Sequence, residues 1–253
     1  MPTANEITEL EEAAADALPA LQTQRFDGWL LGFSEGYTRR ANSVMPLYES
    51  TLPLDEKVDY CRGEYASVSQ PCIFKLTEAS NPGDLDQHLA SLAFTREAET
   101  LVKTLPLDSP IDRPHGVDLL ETPDDEWMDV WERLSPRSAL SPVFLAMLLN
   151  ISVPSVYATI RQNDRCVACA RATVSNGFVG LFDLLVAPQY RRRGFGTDLA
   201  QARLWWGIQQ GATNAYLQVM SANSAARSLQ LHLGFREFYR YWYRTAATAL
   251  PAP

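Results

Sequence analysis

The chain has few residues of the kinds that build metal centres or disulfide frameworks, and it has no long apolar run. It contains four cysteines and three histidines among 253 residues. No apolar stretch approaches the roughly 18 residues that a membrane-spanning helix needs. The basic segment followed by an apolar one that is typical of a signal peptide is also missing. We therefore expect a soluble, cytoplasmic protein in a reducing compartment, with no membrane association and no metal centre.

The one cysteine pair with a suggestive spacing is Cys166 and Cys169. It lies in an alternating stretch that predicts a β-strand, where residues three apart point to opposite faces of the sheet. Two such thiols do not chelate one metal together, so buried structural cysteines are the expected interpretation. Cys61 and Cys72 have no neighbouring residues that indicate catalysis.

Positive charge is also scarce. The formal net charge is -8 and the isoelectric point is near 5.0. A nucleic-acid-binding domain is expected to carry a basic face, so nucleic acid is not expected as a partner. Acidic proteins do not repel amines, however, and 46% hydrophobic residues are enough to build sizeable cores.

One stretch, between residues 180 and 200, nevertheless contains three consecutive arginines. An apolar run of strand length, residues 181–186, is interrupted only by Asp183, and a helical pattern begins near Phe195. Between them, Arg191 to Arg193 lead directly into Gly194-Phe195-Gly196. Glycines allow backbone N–H groups to approach a ligand, and the first turn of a helix has N–H groups without a partner. The stretch predicts a phosphate-binding loop.

Two common phosphate-binding motifs do not fit. A Walker loop needs Lys and then Ser or Thr after its last glycine, whereas Gly196 is followed by Thr197 and Asp198. The dinucleotide fingerprint needs a small residue where Leu199 stands. The pattern Arg191-x-x-Gly194-x-Gly196 instead resembles the cofactor loop of the GNAT superfamily of acetyl-CoA-dependent N-acetyltransferases. A basic, solvent-exposed turn from strand to helix is the simpler alternative.

A second motif follows downstream. After the alternating strand 216–220, Asn223 is a good N-cap for a helix whose apolar stripe ends at Leu233, and Gly234 is placed to stop it. The order of these residues is similar to the second GNAT motif. The resemblance covers about the second half of the chain. It implies an α/β (α+β) fold with a mixed, mostly antiparallel sheet flanked by helices.

The resemblance also implies which residues bind acetyl-CoA. The backbone of Leu184, Leu185 and Val186 would pair with the pantetheine, and Asn223 would contact it from the other side. The loop that would hold the pyrophosphate comprises Arg191, Arg192, Arg193, Gly194, Phe195, Gly196 and Thr197.

The implied chemistry is direct attack of a neutral amine on the thioester in a ternary complex. The backbone N–H of Val186 is the expected oxyanion donor, and Asp183 is the candidate base, acting through water. Asp183 is equally well explained as a partnered structural acid. Where the motif has a tyrosine as general acid, this chain has Gln230, which cannot supply a proton. Tyr239 on the final strand is the candidate substitute, with Tyr190, Tyr241 and Tyr243 as alternatives.

The first half of the chain predicts a similar order of elements. We expect a strand from Phe26 to Phe33, a hairpin turn at 34–36 and a second strand over 37–48, followed by helix 54–68, strand 71–76, helix 84–92 and strand 94–105. The loop before the helix at Leu54 has neither the glycines nor the arginines. We interpret residues 1–108 as a degenerate GNAT-like domain and 109–253 as the acetyltransferase domain, in tandem. An unrelated α+β domain is the alternative for the first half.

Three residues are candidates for the acceptor site: Arg40, Asn42 and Trp127. An arginine holds a carboxylate well, but a surface arginine on a strand edge and a core tryptophan explain the same residues. The DGW and TRRANSV stretches look more like N-acetylglutamate synthase-type tandem chains, which implies an amino acid or another small amine as acceptor. The expected state is a monomer with an internal pseudo-dimer, or a homodimer. A non-catalytic acyl-CoA-binding or regulatory module is the alternative function.

Overall fold

The computed structural model describes residues 2–221 and 230–246, and the statements below concern these residues. The α-helices with assigned bounds are α1 (Ala4–Ala17), α2 (Leu54–Ser67), α3 (Leu85–Ser91), α4 (Asp125–Leu134), α5 (Ser141–Leu149) and α6 (Phe195–Gln209). Capping explains two of their starts. The amide of Trp127 donates to the Asp124 carboxylate at 2.8 Å at the start of α4. Thr3 and Glu6 bond reciprocally at the start of α1, through their backbone amides and side chains.

The β-strands are β1 (Gln22–Phe26), β2 (Trp29–Phe33), β3 (Val44–Met45), β4 (Ile73–Thr77), β5 (Thr95–Pro106), β6 (Asp118–Leu120), β7 (Ser155–Gln162), β8 (Arg165–Ser175), β9 (Phe178–Val186), β10 (Asn214–Met220) and β11 (Arg236–Thr245). The pairings β1–β2, β2–β3, β4–β11, β6–β7, β7–β8 and β8–β9 are antiparallel, whereas β3 pairs with β4 and β9 with β10 in parallel. The expected mixed, mostly antiparallel α/β architecture is confirmed.

The described chain divides into two compact units. Unit 1 comprises residues 2–9, 20–101 and 238–246, and unit 2 comprises residues 10–19, 102–221 and 230–237. The predicted boundary, between 108 and 109, thus lies close to one of the places where the chain leaves unit 1. The prediction that each part is a GNAT-like domain stays a prediction.

In unit 1 the strand order is β1-β2-β3-β4-β11, followed by the first part of β5. Helices α2 and α3 cover a core that contains Trp29, Val58, Tyr65, Phe74 and Leu89. Most of β11 belongs to this unit, and its Tyr241 pairs with Thr77 on β4.

In unit 2 the order is β6-β7-β8-β9-β10, followed by the last part of β5. Helix α6 connects the parallel strands β9 and β10 and packs closely on β9. A Cβ at Gly207 of α6 would lie 2.6 Å from Val179 of β9, so the helix can approach this strand only because residue 207 is glycine.

Two sequence-based expectations for unit 1 are wrong. The stretch from Phe26 to Phe33 is not one strand, because Asp27 and Gly28 form a hairpin turn between β1 and β2 with φ of 40° and 82°. The stretch 37–48 is not a strand either: it contains a 3-10 turn at Arg39–Ala41 and the two-residue strand β3. Other predicted elements in the described residues are present, with ends shifted by at most three residues.

Candidate active site

Strand β9 contains a bulge at the point where the apolar run is interrupted. The register of β8 and β9 shifts between Cys169 and Arg171, so that Asp183 and Leu184 of β9 lie opposite Ala170 alone. Asp183 has a φ of 51°, in the left-handed region that suits the first residue of such a bulge. A bulge re-aims the residues after it, here the last three residues of the strand.

Strand β9 also separates from its parallel neighbour. Within the described residues, the pairing of β9 with β10 runs from Phe178 to Gly180, although β9 continues to Val186. The rings of Phe182 and Tyr216 stand over Gly180, where a Cβ would lie 2.5 Å from one ring and 2.6 Å from the other. The two rings meet edge to face at 5.7 Å. They therefore lie where the two strands begin to diverge.

Backbone groups after the bulge point into this divergence. The Ala187 amide donates to Val167 of β8 at 2.9 Å. Because N–H groups alternate in direction along a strand, the amide of Val186 points away from β8, toward the side where β9 has left β10. The side chains of Leu184 and Val186 pack against the core beside Tyr190 and Phe195. Leu184, Leu185 and Val186 are each half-buried.

The predicted phosphate loop follows directly. Gly194 is the N-cap of α6 with φ 91° and ψ -17°, and within the described residues no side chain caps this helix start. Arg191, Arg192 and Arg193 are exposed. Arg191 donates from Nε to the Val186 carbonyl at 3.1 Å. Helix N–H groups, a left-handed glycine and three guanidinium groups therefore lie together at the end of β9.

These features fit acetyl-CoA on the chemistry of the donors. A pyrophosphate needs several N–H and cationic donors close together, and the start of α6 with Arg191, Arg192 and Arg193 supplies both kinds. Phe195, Gly196 and Thr197 form the first turn of α6. A pantetheine arm contains amides that can pair with an open strand, which β9 offers after its bulge.

Asp183, the candidate base, has a partner. Its Oδ2 accepts from Arg171 Nε at 2.9 Å, and the side chains are 18% and 1% exposed. Arg171 also donates to the carbonyl of Ala17 and lies 4.7 Å from the centre of the Phe182 ring. The structure thus places Asp183 as a partnered acid at the bulge, the alternative that the sequence left open. Its action as a base stays a prediction.

The second sequence motif, which runs from Asn223 to Phe235, lies only partly within the described residues. Asn223 lies outside the described residues. Gln230 is 8% exposed, and its Oε1 accepts no hydrogen bond within the described part of the chain. The helix there ends as predicted: Gly234 has a φ of 88°, and the Phe235 amide bonds the Gln230 carbonyl at 3.0 Å.

The other candidate residues lie elsewhere. Tyr239 is on β11 and Arg40 in the 3-10 turn, both in unit 1. Asn42 is buried, with Oδ1 accepting from the amides of Ser34 and Gly36 and Nδ2 donating to Thr38. Its amide thereby holds the preceding turn. Trp127 has no exposed surface and donates from Nε1 to Ala170 at 3.1 Å, in the core of unit 2.

Sequence reasoning missed the two buried arginines beneath this site. Arg171 on β8 and Arg203 on α6 are 1% and 2% exposed. The Nη1 group of Arg203 donates to the carbonyls of Arg171 and Phe182 at 3.0 Å. An arginine on the apolar stripe of a predicted helix, such as Arg203, was the available signal.

The four cysteines are buried and free, and burial raises the pKa of each thiol. Within residues 2–221 and 230–246, no group of three or more His, Cys, Asp or Glu side chains is placed to hold a metal ion. No helix in the described ranges is both long and apolar enough to cross a bilayer.

Comparison with known proteins adds relatives over nearly the whole chain. Residues 3–244 match the family model described as the C-terminal part of probable histone acetyltransferase Rv0428c. The chain is 32% identical to that protein of Mycobacterium tuberculosis over 95% of its own length and 74% of the relative's. It is 29% identical to the uncharacterized N-acetyltransferase YobR of Bacillus subtilis over 95% and 98% of the two lengths.

A solved structure supports the fold. A GCN5-related N-acetyltransferase from Kribbella flavida superposes with a TM-score of 0.67, covers 98% of this chain and 97% of its own, and is 17% identical. That similarity concerns the fold alone, whereas the family match concerns the sequence. The chain belongs to the Rv0428c C-terminal family and is an N-acetyltransferase of the GNAT superfamily.

Proposed function

We propose that this enzyme transfers the acetyl group of acetyl-CoA to the primary amine of a small metabolite, with an amino acid as the first class of acceptor to test. The observation that carries the proposal is the continuous path from the loop before α6 to the open end of β9. It joins anion donors to backbone groups suited to an amide-containing arm.

Bound acetyl-CoA would supply an activated thioester, and the chain's own residues would orient it. Arg191, Arg192 and Arg193, with the N-terminal amides of α6, would hold the pyrophosphate. Leu184 and Leu185 would pair with the pantetheine through their backbone. The Val186 amide, pointing away from β8, would donate to the acyl carbonyl oxygen.

Proton transfer needs a base for the amine and a proton donor for the leaving thiolate. Asp183 is ion-paired with Arg171, and we propose that it acts as a base through water, without leaving that pair. Tyr239 is our proposed general acid. Coenzyme A can also leave the tetrahedral intermediate as a thiolate without strong assistance, because the pKa of an ordinary thiol is about 8.5. Turnover therefore does not require a tyrosine at position 230.

Both units show the same local order, which supports the tandem proposal. Unit 1 has the antiparallel strands β1, β2 and β3, then α2, then β4 parallel to β3. Unit 2 has β7, β8 and β9, then α6, then β10 parallel to β9. We propose that residues 1–108 are a GNAT-like half without a cofactor loop.

The proposal is tested by thiol release from acetyl-CoA with the full chain. The acceptor panel comprises amino acids, polyamines and a lysine-rich peptide, because one relative is named a probable histone acetyltransferase. Turnover with an amino acid or polyamine supports the proposal. Turnover with the peptide alone would show that the acceptor is a peptide amine and not a small metabolite. Tight binding of acetyl-CoA without turnover on any amine would favour the non-catalytic module.

A further inference from the structure

The bulge in β9 is held by buried side chains that donate to backbone carbonyls. Trp127 Nε1 donates to Ala170, the β8 residue opposite the bulge, at 3.1 Å. Arg203 Nη1 donates at 3.0 Å to both Arg171 and Phe182, the first residues paired beyond it. A bulge disrupts the ladder locally, so carbonyls at this point need other donors. Trp127 and Arg203 supply them.

A charged side chain at position 203 is energetically unfavourable, because the position is buried. Arg203 is 2% exposed, and its third bond runs from Nε to Leu199 at 2.9 Å within its own helix. Removing a guanidinium from water costs roughly several kcal/mol of desolvation free energy. Its hydrogen bonds must offset this cost. Burial lowers the pKa of Arg203 to about 9, against the attraction of Asp183, so the group stays charged at neutral pH. An apolar side chain would fill the same space without this penalty.

The opposite side of the bulge is held by Arg171. Asp183 adopts a left-handed φ, which costs free energy for a residue with a Cβ. Its carboxylate is fixed by Arg171 Nε at 2.9 Å. Two buried guanidinium groups therefore fix the backbone and the side chain of one bulge.

Helix α6 connects this bulge to the phosphate loop. Its N-terminus lies at Gly194, and Arg203 lies two turns further along. At about 1.5 Å per residue, Gly196 and Arg203 are roughly 10 Å apart along the axis. Gly207, a further turn on, packs directly on Val179 of β9. The same helix thus contacts β9 before the bulge, through Gly207, and bonds one carbonyl of β9 and one of β8 beside the bulge, through Arg203.

We propose that Arg203 is a positioning residue for acetyl transfer: by bonding the Arg171 and Phe182 carbonyls it fixes the bulge, and thereby holds the Val186 amide toward the open side of β9. The inference rests on the proposed function, because only there does the direction of Val186 matter for chemistry. A guanidinium that merely stabilised unit 2 would leave that direction unchanged when replaced.

The test uses the full chain with Arg203→Lys and Arg203→Met. Lysine keeps the charge but cannot reproduce the planar fork that spans these carbonyls. Leu204→Ala is the matched control, because Leu204 is a buried neighbour on the same helix and is 2% exposed. Amide hydrogen exchange without ligand is measured first. We expect Leu185 and Ala187 to exchange at least tenfold faster in both Arg203 variants than in the control.

The second measurement titrates labelled protein with acetyl-CoA and with coenzyme A. In the wild type, the Val186 amide resonance should respond differently to the two, while Gly194 and Gly196 respond equally to both. In Arg203→Lys the glycines should still respond and the difference at Val186 should be lost. With the best amine of the panel, kcat should fall at least tenfold while the Kd for coenzyme A stays within twofold.

The outcomes separate the two proposals. If Arg203→Lys behaves like Leu204→Ala in exchange and at Val186, the positioning role is overturned, whatever the protein catalyses. If no amide of the wild type responds to acetyl-CoA, the proposed function is overturned, and with it the catalytic meaning of the bulge. If neither Arg203 variant folds, Asp183→Asn weakens the bulge from its other side and must show the same loss at Val186, or the inference is wrong.

Discussion

Helices α6 and α2 occupy equivalent places in the order of their units, yet the loops before them have opposite chemistry. The loop before α6 presents three exposed arginines and a left-handed glycine. The loop before α2 also has backbone N–H donors, but they are hydrogen-bonded to a carboxylate of the same unit. Asp27 accepts from the amides of Thr51 and Leu52 at 2.9 Å.

The α2 loop is closed further by a cation from its own helix. Lys57 is buried, with Nζ 3.1 Å from Asp27 Oδ2 and 3.9 Å from the centre of the Trp29 ring. It also donates to Ser50 Oγ. In the loop before α2, side chains of the same unit satisfy the hydrogen-bond donors. In the loop before α6, the donors are available to a ligand. The difference teaches that the same position can stabilise a unit or bind an anion, depending on whether a carboxylate lies within reach.

The largest effect is expected from removing the cation of the closed loop. Lys57→Met leaves Asp27 without its ion pair, and breaking a largely buried pair costs about 3 kcal/mol. For a chain of this size the thermal midpoint should fall by roughly 6 °C or more. Calorimetry measures the midpoint, and Glu56→Gln, an exposed neighbour on α2, is the control. A loss of coenzyme A affinity in folded Lys57→Met would show that the α2 loop is not purely structural.

The next effect concerns the open loop. Gly196 is the second residue of α6, where helical geometry does not require glycine, so we expect its missing side chain to make room for the pyrophosphate. Gly196→Val should weaken coenzyme A binding at least tenfold, about 1.4 kcal/mol. Titration calorimetry measures this. Gly63→Val on α2, where a Cβ meets open space, is the control and should bind normally. Unchanged affinity in folded Gly196→Val would remove this loop from the site.

A smaller effect is expected from one charge of the open loop. Arg193 is exposed and lies 5.2 Å from the centre of the Tyr190 ring, which stacks on Phe195. Arg193→Ala should weaken coenzyme A binding by about three- to fivefold at low salt, and less at high salt because exposed charges are screened. Arg165→Ala, an exposed arginine on β8, is the control. A salt-independent loss would indicate a packing role for Arg193.

The smallest effect is in the pH dependence of stability. The Leu52 amide above all, then the Thr51 hydroxyl and the Lys57 ammonium, hold the pKa of Asp27 below its ordinary value. A depressed carboxyl pKa contributes stability that is complete above the unfolded pKa, about 4, and is lost as the pH falls through the folded pKa. Urea unfolding between pH 3 and 7 should therefore show the stability gap between wild type and Asp27→Asn narrowing below about pH 4. A constant gap would contradict this account.

The sequence predicted the second half of the fold well, because its patterns are local. The apolar run, the arginines and the glycines around α6 stand in one stretch, and Gly234 ends its helix as expected. The same logic failed in the first half. Asp27-Gly28 is a hairpin signal, but the aromatic residues on both sides made the stretch look like one strand.

The predicted strand 37–48 failed for a different reason. Asn42 bonds the backbone at Ser34, Gly36 and Thr38, and such local bonds compete with a strand ladder. At the site, the loop was predictable but the bulge was not. Asp183, Arg171 and Arg203 meet only after β8, β9 and α6 have packed, and no spacing along the chain specifies that encounter.

The position of β11 has a consequence for how the protein is made. Because Tyr241 pairs with Thr77, unit 1 lacks one strand of its sheet until the residues of β11 have left the ribosome. During synthesis, β4 therefore presents an open edge beside a core that is otherwise ready to form, and open edges invite pairing with other chains. Because the two strands are far apart in the sequence, their pairing is also expected to form slowly.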